Sequence, residues 1–466
     1  MAHGSSDVND NDAIAEFAKI VGENNVLVGE DVRQRWDGYP PVHAMEAACI
    51  VRPATTEEVA AVASYCDRNG LSLVPQGGRT GLVRGAYTKP GDIALSLERM
   101  TAISPADRLG MTMEVEAGAP LQAVQDAASD AGFLYPVDLG ARGSATIGGT
   151  ISTNAGGNSV FRYGMTREQI LGLEVVLADG TILSSMNRLI KNNAAYDLKH
   201  MFVGSEGTLG IVTRAVLRLR PAPGQKGVAF IGLSSFDAVL DLLALANAEA
   251  DGALTSYEVM WPSFLNIVAG QSEHRVPLEE QHAFYVLAEL VSHRASELID
   301  HVIALGWERG LIEDAVVAQN IGQASAFWAI RDDIDALVAA MKPVLLYDVS
   351  LPQADMAPYV EALDAALSRA WPGTRLAVFG HVADGNLHLA ISPGEGGEHE
   401  AVDALVYAPL EAVGGSISAE HGIGLEKRAY LRYSRSEAEI AMMRHLKAAL
   451  DPRSTLNPGK VVAADL

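Results

Sequence analysis

The sequence predicts an α+β fold made of two domains, and the first observation behind this is its length. With 466 residues the chain exceeds what one hydrophobic core ordinarily organises. The second observation is that short apolar runs alternate with helical patterns early in the chain. Cys49 to Val51 is a predicted strand, residues 53–69 are a predicted helix with Thr55 and Glu58 at capping-box spacing, and Leu71 to Val74 form the next strand.

The third observation is a break in the pattern at residues 220–224, where the sequence Arg-Pro-Ala-Pro-Gly is typical of a linker. Beyond it, amphipathic helices at 236–250 and 356–370 lie on either side of strands such as 345–350. We therefore expect a first domain over residues 1–222, followed by a separate α+β domain with an antiparallel sheet.

The composition is that of a globular protein, and it excludes several classes of function. A formal net charge of -23 argues against nucleic acid binding, and an anionic substrate would need a locally positive site. Neither of the two cysteines, Cys49 and Cys66, lies in a C-x-x-C pair, which fits a reducing compartment. The polar start of the chain and the lack of a long uncharged apolar run predict a cytoplasmic protein without a membrane span.

A glycine-rich segment at residues 75–81, Pro-Gln-Gly-Gly-Arg-Thr-Gly, follows a predicted buried strand. Consecutive glycines can turn successive N–H groups toward one anion, and Arg79 and Thr80 would add a charge and a hydroxyl. The segment therefore suits a pyrophosphate, although a plain turn between a strand and a helix would explain it equally well. Neither G-x-G-x-x-G nor the P-loop pattern occurs in the chain, so the usual nucleotide loops are not indicated.

Two further glycine clusters follow, at residues 145–157 and 204–212. Each alone is ordinary loop chemistry. In order and spacing, however, the three clusters resemble the FAD-binding domain of flavoproteins of the vanillyl-alcohol-oxidase type. Within that superfamily nearly the whole chain looks like the FAD-linked D-2-hydroxy-acid dehydrogenases, which include D-lactate and D-2-hydroxyglutarate dehydrogenases.

This resemblance implies where FAD would lie. Residues 75–81 would wrap its diphosphate, residues 136–157 would line the isoalloxazine and ribityl chain, and residues 204–212 would hold the adenine and ribose. It also implies a split FAD domain, in which residues 443–466 return to residues 1–222 and leave 223–442 as the substrate and metal domain. The expected FAD-binding residues are Pro75, Gly77, Gly78, Arg79, Thr80, Gly81, Pro136, Gly140, Ala145, Thr146, Gly148, Gly149, Asn154, Gly156, Gly157, Glu206, Gly210, Ile211 and Asn457.

The flavin is expected to be bound without a covalent link. Some members of the superfamily attach FAD through a histidine, but this chain has no histidine between His43 and His200, and Cys66 falls on a predicted helix.

Two histidines flank an Asp-Gly turn in the segment Phe379 to Leu389. Asp384-Gly385 between alternating apolar runs predicts a two-residue hairpin loop, which would pair His381 directly with His388. Opposed side chains in such a pair have Cβ atoms roughly 4.5–5.5 Å apart, close enough for both imidazoles to bind one metal ion. The alternative is two core histidines with ordinary hydrogen-bond partners.

A second half-site is predicted at Glu420-His421 in a glycine-rich segment, where a carboxylate and an imidazole offer one ligand and one base. Two histidines and one carboxylate leave open positions on a divalent ion. The resemblance implies His381, His388 and Glu420 as ligands of zinc or manganese, and His421 as the catalytic base.

These residues predict a mechanism for oxidising a 2-hydroxy acid. The metal would lower the pKa of the substrate hydroxyl, His421 would take its proton, and the C2 hydride would pass to the flavin. Arg331 matches the family position that clamps the substrate carboxylate, and Asn386 shares the predicted hairpin face with His388. The resemblance also calls for an electron acceptor, which could be an electron-transfer flavoprotein, a quinone or a cytochrome.

The resemblance also bears on the substrate. Relatives that prefer a second carboxylate tend to carry a lysine just before the strand that contains Tyr347 and Asp348, and here that position is Leu346. Asp335 replaces a hydroxyl-bearing residue one turn beyond Arg331. A second carboxylate buried there would be unpaired, which favours a monocarboxylate such as D-lactate. Lys342 lies four residues before Leu346 and could pair with a second carboxylate, so D-2-hydroxyglutarate and D-malate remain alternative substrates. An oxidase of the same superfamily and a non-catalytic FAD subunit of a glycolate-oxidase-like complex are further alternatives.

Overall fold

The structure is a computed structural model that describes residues 10–39, 44–271 and 273–463. Its strands are β1 Val26–Val28, β2 Cys49–Val51, β3 Leu73–Gln76, β4 Ile93–Ser96, β5 Thr112–Glu116, β6 Phe133–Leu134, β7 Ile170–Val176, β8 Ile182–Ser185, β9 Ile211–Arg218, β10 Arg220–Pro221, β11 Gln225–Leu233, β12 Leu254–Met260, β13 Phe284–Ser292, β14 Asp314–Val317, β15 Leu345–Ser350, β16 Arg375–His381 and β17 Asn386–Ser392.

The α-helices are α1 Asp10–Val21, α2 Glu30–Arg33, α3 Thr56–Asn69, α4 Leu121–Asp130, α5 Ile147–Thr153, α6 Val160–Tyr163, α7 Lys199–Phe202, α8 Phe236–Glu249, α9 Pro262–Gln271, α10 Ala295–Glu308, α11 Ile321–Asp332, α12 Ile334–Ala340, α13 Gln353–Ala370, α14 His399–Tyr407 and α15 Glu437–Leu450. Within the residues just given, none of these helices is long and apolar enough to cross a bilayer.

The chain divides into two compact units. The first contains residues up to Gly157, Gly164–Ala222 and Glu420–Leu466, and the second contains Asn158–Tyr163 and Pro223–Ala419. The division after residue 222 falls at the linker that the sequence predicts. The return to the first unit begins at Glu420, earlier than the expected residue 443, which places Glu420 and His421 in the first unit.

The first unit contains two four-stranded sheets. One has the order β1-β2-β4-β3 and is parallel except at β1, and the other has the order β5-β9-β7-β8 and is antiparallel. α3 begins where Thr55 accepts a hydrogen bond from the Glu58 amide, and Glu58 itself accepts from the Ala54 amide, so only half of the predicted capping box forms. Apolar side chains from both sheets, α1, α3 and α4 share one core.

The second unit is built on one seven-stranded antiparallel sheet of order β14-β11-β13-β12-β16-β17-β15. Its central strand β12 is buried at every residue, including Glu258, so a charge there needs partners. The predicted α+β class with an antiparallel sheet in the second domain is confirmed.

Candidate active site

A cleft in the first unit is lined by the three glycine-rich segments. Sixteen of the expected FAD-binding residues lie on its wall: Pro75, Gly77, Gly78, Arg79, Thr80, Gly81, Gly140, Ala145, Thr146, Gly148, Gly149, Gly156, Glu206, Gly210, Ile211 and Asn457. The wall also contains Glu420 and His421. The cofactor segments and the predicted base therefore face the same space.

Three expected FAD-binding residues do not line this cleft. Pro136 is buried elsewhere. Asn154 is the left-handed residue that ends α5, and its Oδ1 accepts a hydrogen bond from the Arg167 amide at 2.9 Å, a task for which asparagine is well suited. Gly157 has φ +102, and a Cβ there would lie 1.8 Å from the carbonyl oxygen of Asp138. These residues shape the backbone and do not form the wall.

The glycines at 77 and 78 are required by packing of the protein against itself. A Cβ at Gly78 would lie 1.9 Å from the carbonyl oxygen of Ser144, and one at Gly77 would lie 2.4 Å from Oγ1 of Thr146. The two cofactor segments can therefore approach each other only without side chains at these positions. The sequence correctly signalled a close approach there, but the close neighbour is another part of the wall.

Two polar side chains on this wall fit the two kinds of polar group that FAD carries: Arg79 offers a cation, and Gln76 offers an acceptor. Arg79 makes no hydrogen bond or ion pair with any residue that the structure describes, and burial, aided by the Arg35 cation, lowers the pKa of its guanidinium. Gln76, which the sequence analysis passed over, is buried, and its Oε1 has no hydrogen-bond partner among the described residues. A polar residue at the end of an apolar strand is the signal that marks Gln76. The wall thus offers a cation and an acceptor to the diphosphate and polar groups of FAD.

Glu206 lies on the cleft wall, and its carboxylate binds the backbone of the segment that returns to the first unit. Its Oε1 accepts a hydrogen bond from the Ile423 amide at 2.6 Å, and its Oε2 accepts from the Gly424 amide at 2.8 Å. Burial raises the pKa of the Glu206 carboxyl, and the two amide hydrogen bonds oppose that shift. Asn457 in turn donates from Nδ2 to the carbonyl oxygen of Glu206 at 2.7 Å. Both side chains hold the wall together.

The Glu420-His421 pair lies at the start of the segment that returns to the first unit. Oε1 of Glu420 accepts a hydrogen bond from the Gly157 amide at 2.7 Å, so one carboxylate oxygen is held by the end of the second glycine cluster. The imidazole of His421 is half-buried on the cleft wall. The residue predicted to be the base therefore lines the space predicted for the flavin.

In the second unit, the predicted pairing of His381 with His388 is wrong by two residues. The observed pair is Phe379 with His388, because residues 382–384 form a 3-10 turn and lengthen the loop. A slip of two residues keeps every side chain on its face of the sheet. The two imidazoles are consequently still neighbours, with ring centroids 5.3 Å apart.

His381 belongs to a buried charged network that the sequence analysis missed. On β12, Glu258 pairs across the sheet with His381, and its Oε1 lies 2.8 Å from His381 Nδ1 while its Oε2 accepts from Arg331 Nε at 3.0 Å. Burial alone would raise the pKa of Glu258, but His381 and Arg331 outweigh it and hold that pKa below its usual value. A carboxylate inside an otherwise apolar strand is the sequence signal for this residue.

Arg331 is buried at the end of α11 and is not the exposed helix charge that would be expected of an arginine without a function. Its Nη2 lies 3.1 Å from His381 Nε2, and its Nη1 donates to Asp332 at 3.4 Å. The guanidinium has five N–H groups, so donors remain beyond its contacts with Glu258, Asp332 and His381. The geometry suits a carboxylate clamp within the second unit.

Asn386 and His388 share a second buried carboxylate. Nδ2 of Asn386 donates to Asp348 Oδ1 at 2.9 Å, and Nδ1 of His388 lies 3.8 Å from the same oxygen. The Oδ1 atom of Asn386 is buried and has no hydrogen-bond partner in the part of the chain that the structure describes. A buried acceptor is therefore available on the strand that carries His388, as a substrate contact requires.

The histidine pair was tested for its fit to a metal ion. No group of three or more His, Cys, Asp or Glu residues is arranged to hold a metal within residues 10–39, 44–271 and 273–463. The donor chemistry of His381 nevertheless fits, because its Nδ1 lies 2.8 Å from the buried Glu258 carboxylate, as in metal-binding histidines. Nδ1 of His388 points toward Asp348 at 3.8 Å, which is beyond hydrogen-bond distance. Arg331 lies against His381 Nε2, so it would have to move aside for a metal ion at that nitrogen.

A comparison with solved structures establishes the fold. The chain superposes on p-cresol methylhydroxylase with substrate bound at a TM-score of 0.78 and 16% identity, over 99% of both chains. At this identity the likeness shows the fold. The fold is the one predicted from the sequence, that of the vanillyl-alcohol-oxidase type.

Comparisons of sequence identify the family. Residues 47–185 match the FAD binding domain, and residues 222–461 match the C-terminal domain of FAD linked oxidases. D-2-hydroxyglutarate dehydrogenase from Xanthomonas citri pv. viticola is 39% identical over 93% of this chain and 91% of its own length. The enzyme of that name from Stutzerimonas stutzeri is 34% identical over 97% of this chain and 99% of its own length. The chain belongs to the FAD-linked oxidases and is an oxidoreductase related to the D-2-hydroxyglutarate dehydrogenases.

Proposed function

We propose that this protein oxidises a D-2-hydroxy acid to the 2-oxo acid, with D-2-hydroxyglutarate as its substrate. The observation that carries the proposal is the presence of His421 on the wall of the cleft formed by the FAD-binding segments. A proton acceptor at that place suits the oxidation of a hydroxyl group next to a flavin. The relatives named D-2-hydroxyglutarate dehydrogenase support the substrate class.

Each step of the proposed reaction uses different groups. FAD, when bound, supplies the acceptor for the hydride that leaves C2 of the substrate. Arg331 would bind the C1 carboxylate with the N–H groups that Glu258, Asp332 and His381 do not use. Asn386 would accept a hydrogen bond at its buried Oδ1, and His421 would take the hydroxyl proton. The electrons would then pass to an electron-transfer flavoprotein, a quinone or a cytochrome.

We include a divalent metal, zinc or manganese, in the proposal. His381 and His388 would hold it, since their Nδ1 atoms face Glu258 and Asp348 and so turn Nε2 away from those carboxylates. Such an ion would lower the pKa of a coordinated hydroxyl group. Glu420 as the third ligand remains a prediction from the sequence.

The dicarboxylate is preferred to D-lactate because the burial argument for a monocarboxylate does not hold. Leu346 is 47% exposed, and Asp335 is exposed as well. A second carboxylate near either position would keep much of its hydration and avoid most of the desolvation cost. Moreover, the helix that carries Arg331 ends at Asp332, and Asp333 caps the separate helix α12. Asp335 is thus not one turn beyond Arg331 on a continuous helix.

The test is anaerobic mixing of the purified yellow protein with D- and L-2-hydroxyglutarate, D-malate, D-2-hydroxybutyrate and D-lactate, following the loss of flavin absorbance. D-2-hydroxyglutarate should reduce the flavin with the highest kcat/KM, and its L-enantiomer should fail. Bleaching tenfold faster with D-lactate would restore the monocarboxylate, and no bleaching with any member of the panel would support a non-catalytic FAD subunit.

A further inference from the structure

Both carboxylate oxygens of Glu206 accept hydrogen bonds from the backbone just beyond His421. Oε1 accepts from the Ile423 amide at 2.6 Å and Oε2 accepts from the Gly424 amide at 2.8 Å. Both oxygens are thus engaged by the protein, and hydrogen bonds of N–H groups to an ionised carboxylate are stronger than neutral ones.

Besides the Glu206 contacts, this segment accepts two backbone hydrogen bonds, from the Lys427 amide to the Ile423 carbonyl oxygen and from the Val461 amide to the Gly424 carbonyl oxygen, both at 3.0 Å. It belongs to neither a helix nor a strand, and Gly422 and Gly424 have φ values of +86 and +49, which disfavour side chains. A Cβ at Gly422 would lie 2.7 Å from Glu206 Oε1, and one at Gly424 would lie 1.9 Å from the carbonyl oxygen of Val83. The segment therefore passes between Glu206 and Val83, and His421 is the residue immediately before it.

Glu206 is itself held from two sides. Its amide donates to the carbonyl oxygen of Ser152 at 2.8 Å, and its own carbonyl oxygen accepts from Asn457 Nδ2 at 2.7 Å. Its φ of +51 is left-handed, which is uncommon for a residue with a side chain. The surrounding contacts thus fix the backbone that aims this carboxylate at the 423–424 amides.

We propose that Glu206 is a positioning residue, which holds the 421–424 segment so that the imidazole of His421 faces the cofactor cleft. It acts through His421 and not as a contact of FAD, the role expected from the sequence. The inference rests on the proposed function, because it takes His421 to be the base.

The expected loss of rate in Glu206 variants depends on how accurately the base must be positioned relative to the substrate hydroxyl group. A displacement of about 1 Å can cost about 100-fold in rate. In Glu206→Gln, the amide oxygen can accept one of the two N–H groups while the NH2 group faces the other, and Glu206→Ala loses both contacts. We expect the rate of flavin reduction by D-2-hydroxyglutarate to fall about 10-fold in the Gln variant and about 100-fold in the Ala variant.

The experiment measures two quantities in each holoenzyme: the anaerobic rate of flavin reduction and the affinity for FAD. A positioning role predicts a slower reduction with an FAD affinity within about threefold of the wild type. Glu174→Gln is the matched control, because Glu174 is also a buried carboxylate of the first unit, bound to Thr56 and Ser184, and does not line the cleft. A wild-type reduction rate with weakened FAD binding in Glu206→Gln would overturn the proposal.

A double-mutant cycle decides whether Glu206 acts through His421. If it does, Glu206→Gln should change the rate less than twofold in a His421→Ala background. An equal 10-fold loss in both backgrounds would overturn the proposal. If flavin reduction is slow in His421→Ala but unchanged in Glu206→Gln, only the positioning role of Glu206 is overturned. If His421→Ala is fully active, His421 is not the base, and that part of the proposed function fails as well. Gln matches Glu in volume, so the Glu206→Gln and His421→Ala variants are sufficient for the test even if Glu206→Ala does not fold.

Discussion

Oε1 of Glu258 lies 2.8 Å from Nδ1 of His381, across two adjacent strands of the second unit. An ionised carboxylate can only accept, so Nδ1 of the imidazole is the donor. Arg331 Nη2, which can only donate, lies against Nε2 of the same ring at 3.1 Å. A neutral ring that satisfies both contacts carries its proton at Nδ1 and its lone pair at Nε2, which is the form that a metal ligand needs.

Replacing Glu258 by Gln should therefore destabilise the second unit. Breaking a buried pair by removing one charged partner typically costs about 3–5 kcal/mol. Because the pKa of Glu258 is lowered by folding, its contribution is fully present above the unfolded pKa, about 4.3, and is lost as the pH falls through the folded value. Denaturant unfolding should show a large difference between the two proteins at pH 7 that shrinks below pH about 4. A difference that is constant across this range would contradict the assignment.

The histidine pair gives a prediction about the metal. Chelation, or His388→Ala, should abolish flavin reduction by substrate while FAD stays bound, because the imidazoles are proposed to hold the ion that activates the hydroxyl group. Metal content by elemental analysis should fall together with the rate. His301→Ala, at an exposed position on α10, is the control. Full activity in His388→Ala would refute the metal site.

Removal of the proposed base should affect chemistry and little else. His421→Ala is expected to lower the rate of flavin reduction by about 10²–10⁴-fold, which is the usual contribution of a general base. Bound FAD and metal should be retained, and His445→Ala, exposed on α15, should behave like the wild type. A loss of less than threefold would show that another group accepts the proton.

The flavin should leave the polypeptide on denaturation. No histidine lies between His43 and His200 in the sequence. Cys66 is buried inside α3 and does not line the cleft. After denaturation and filtration the yellow colour is expected in the filtrate, and mass spectrometry of the chain should show no added flavin. Colour that remains on the polypeptide would contradict this prediction.

Local patterns were sufficient to predict much of the fold. The strand at 345–350 has the predicted bounds, and the helix expected at 236–250 is found at Phe236–Glu249, because periodicity and capping act over a few residues. The register of the histidine hairpin was wrong because a 3-10 turn replaced the two-residue loop, and the turn conformation is not visible in an Asp-Gly pair alone.

The candidate site was predicted less completely because its partners are distant in the chain. Glu258 and His381 are 123 residues apart, and Glu206 and Ile423 are 217 apart. The sequence around Glu258 does not predict that a histidine lies opposite it in the sheet. Glu206 was assigned to the cofactor because it lies in a glycine-rich cluster, and only the folded chain shows that both its oxygens bind backbone amides.

The interleaving of the two units sets the order in which this protein can be made. Leu73, next to the first glycine cluster, bridges to Leu456, and Asn457 completes the cleft wall. The ribosome must synthesise the second unit, from Pro223 to Ala419, before these final residues emerge. At about 5–20 residues per second this takes roughly 10–40 seconds, during which the nascent first unit has no closed cofactor cleft. A chain stopped before residue 456 would therefore lack both the Leu73–Leu456 bridge and the part of the cleft wall that Asn457 forms.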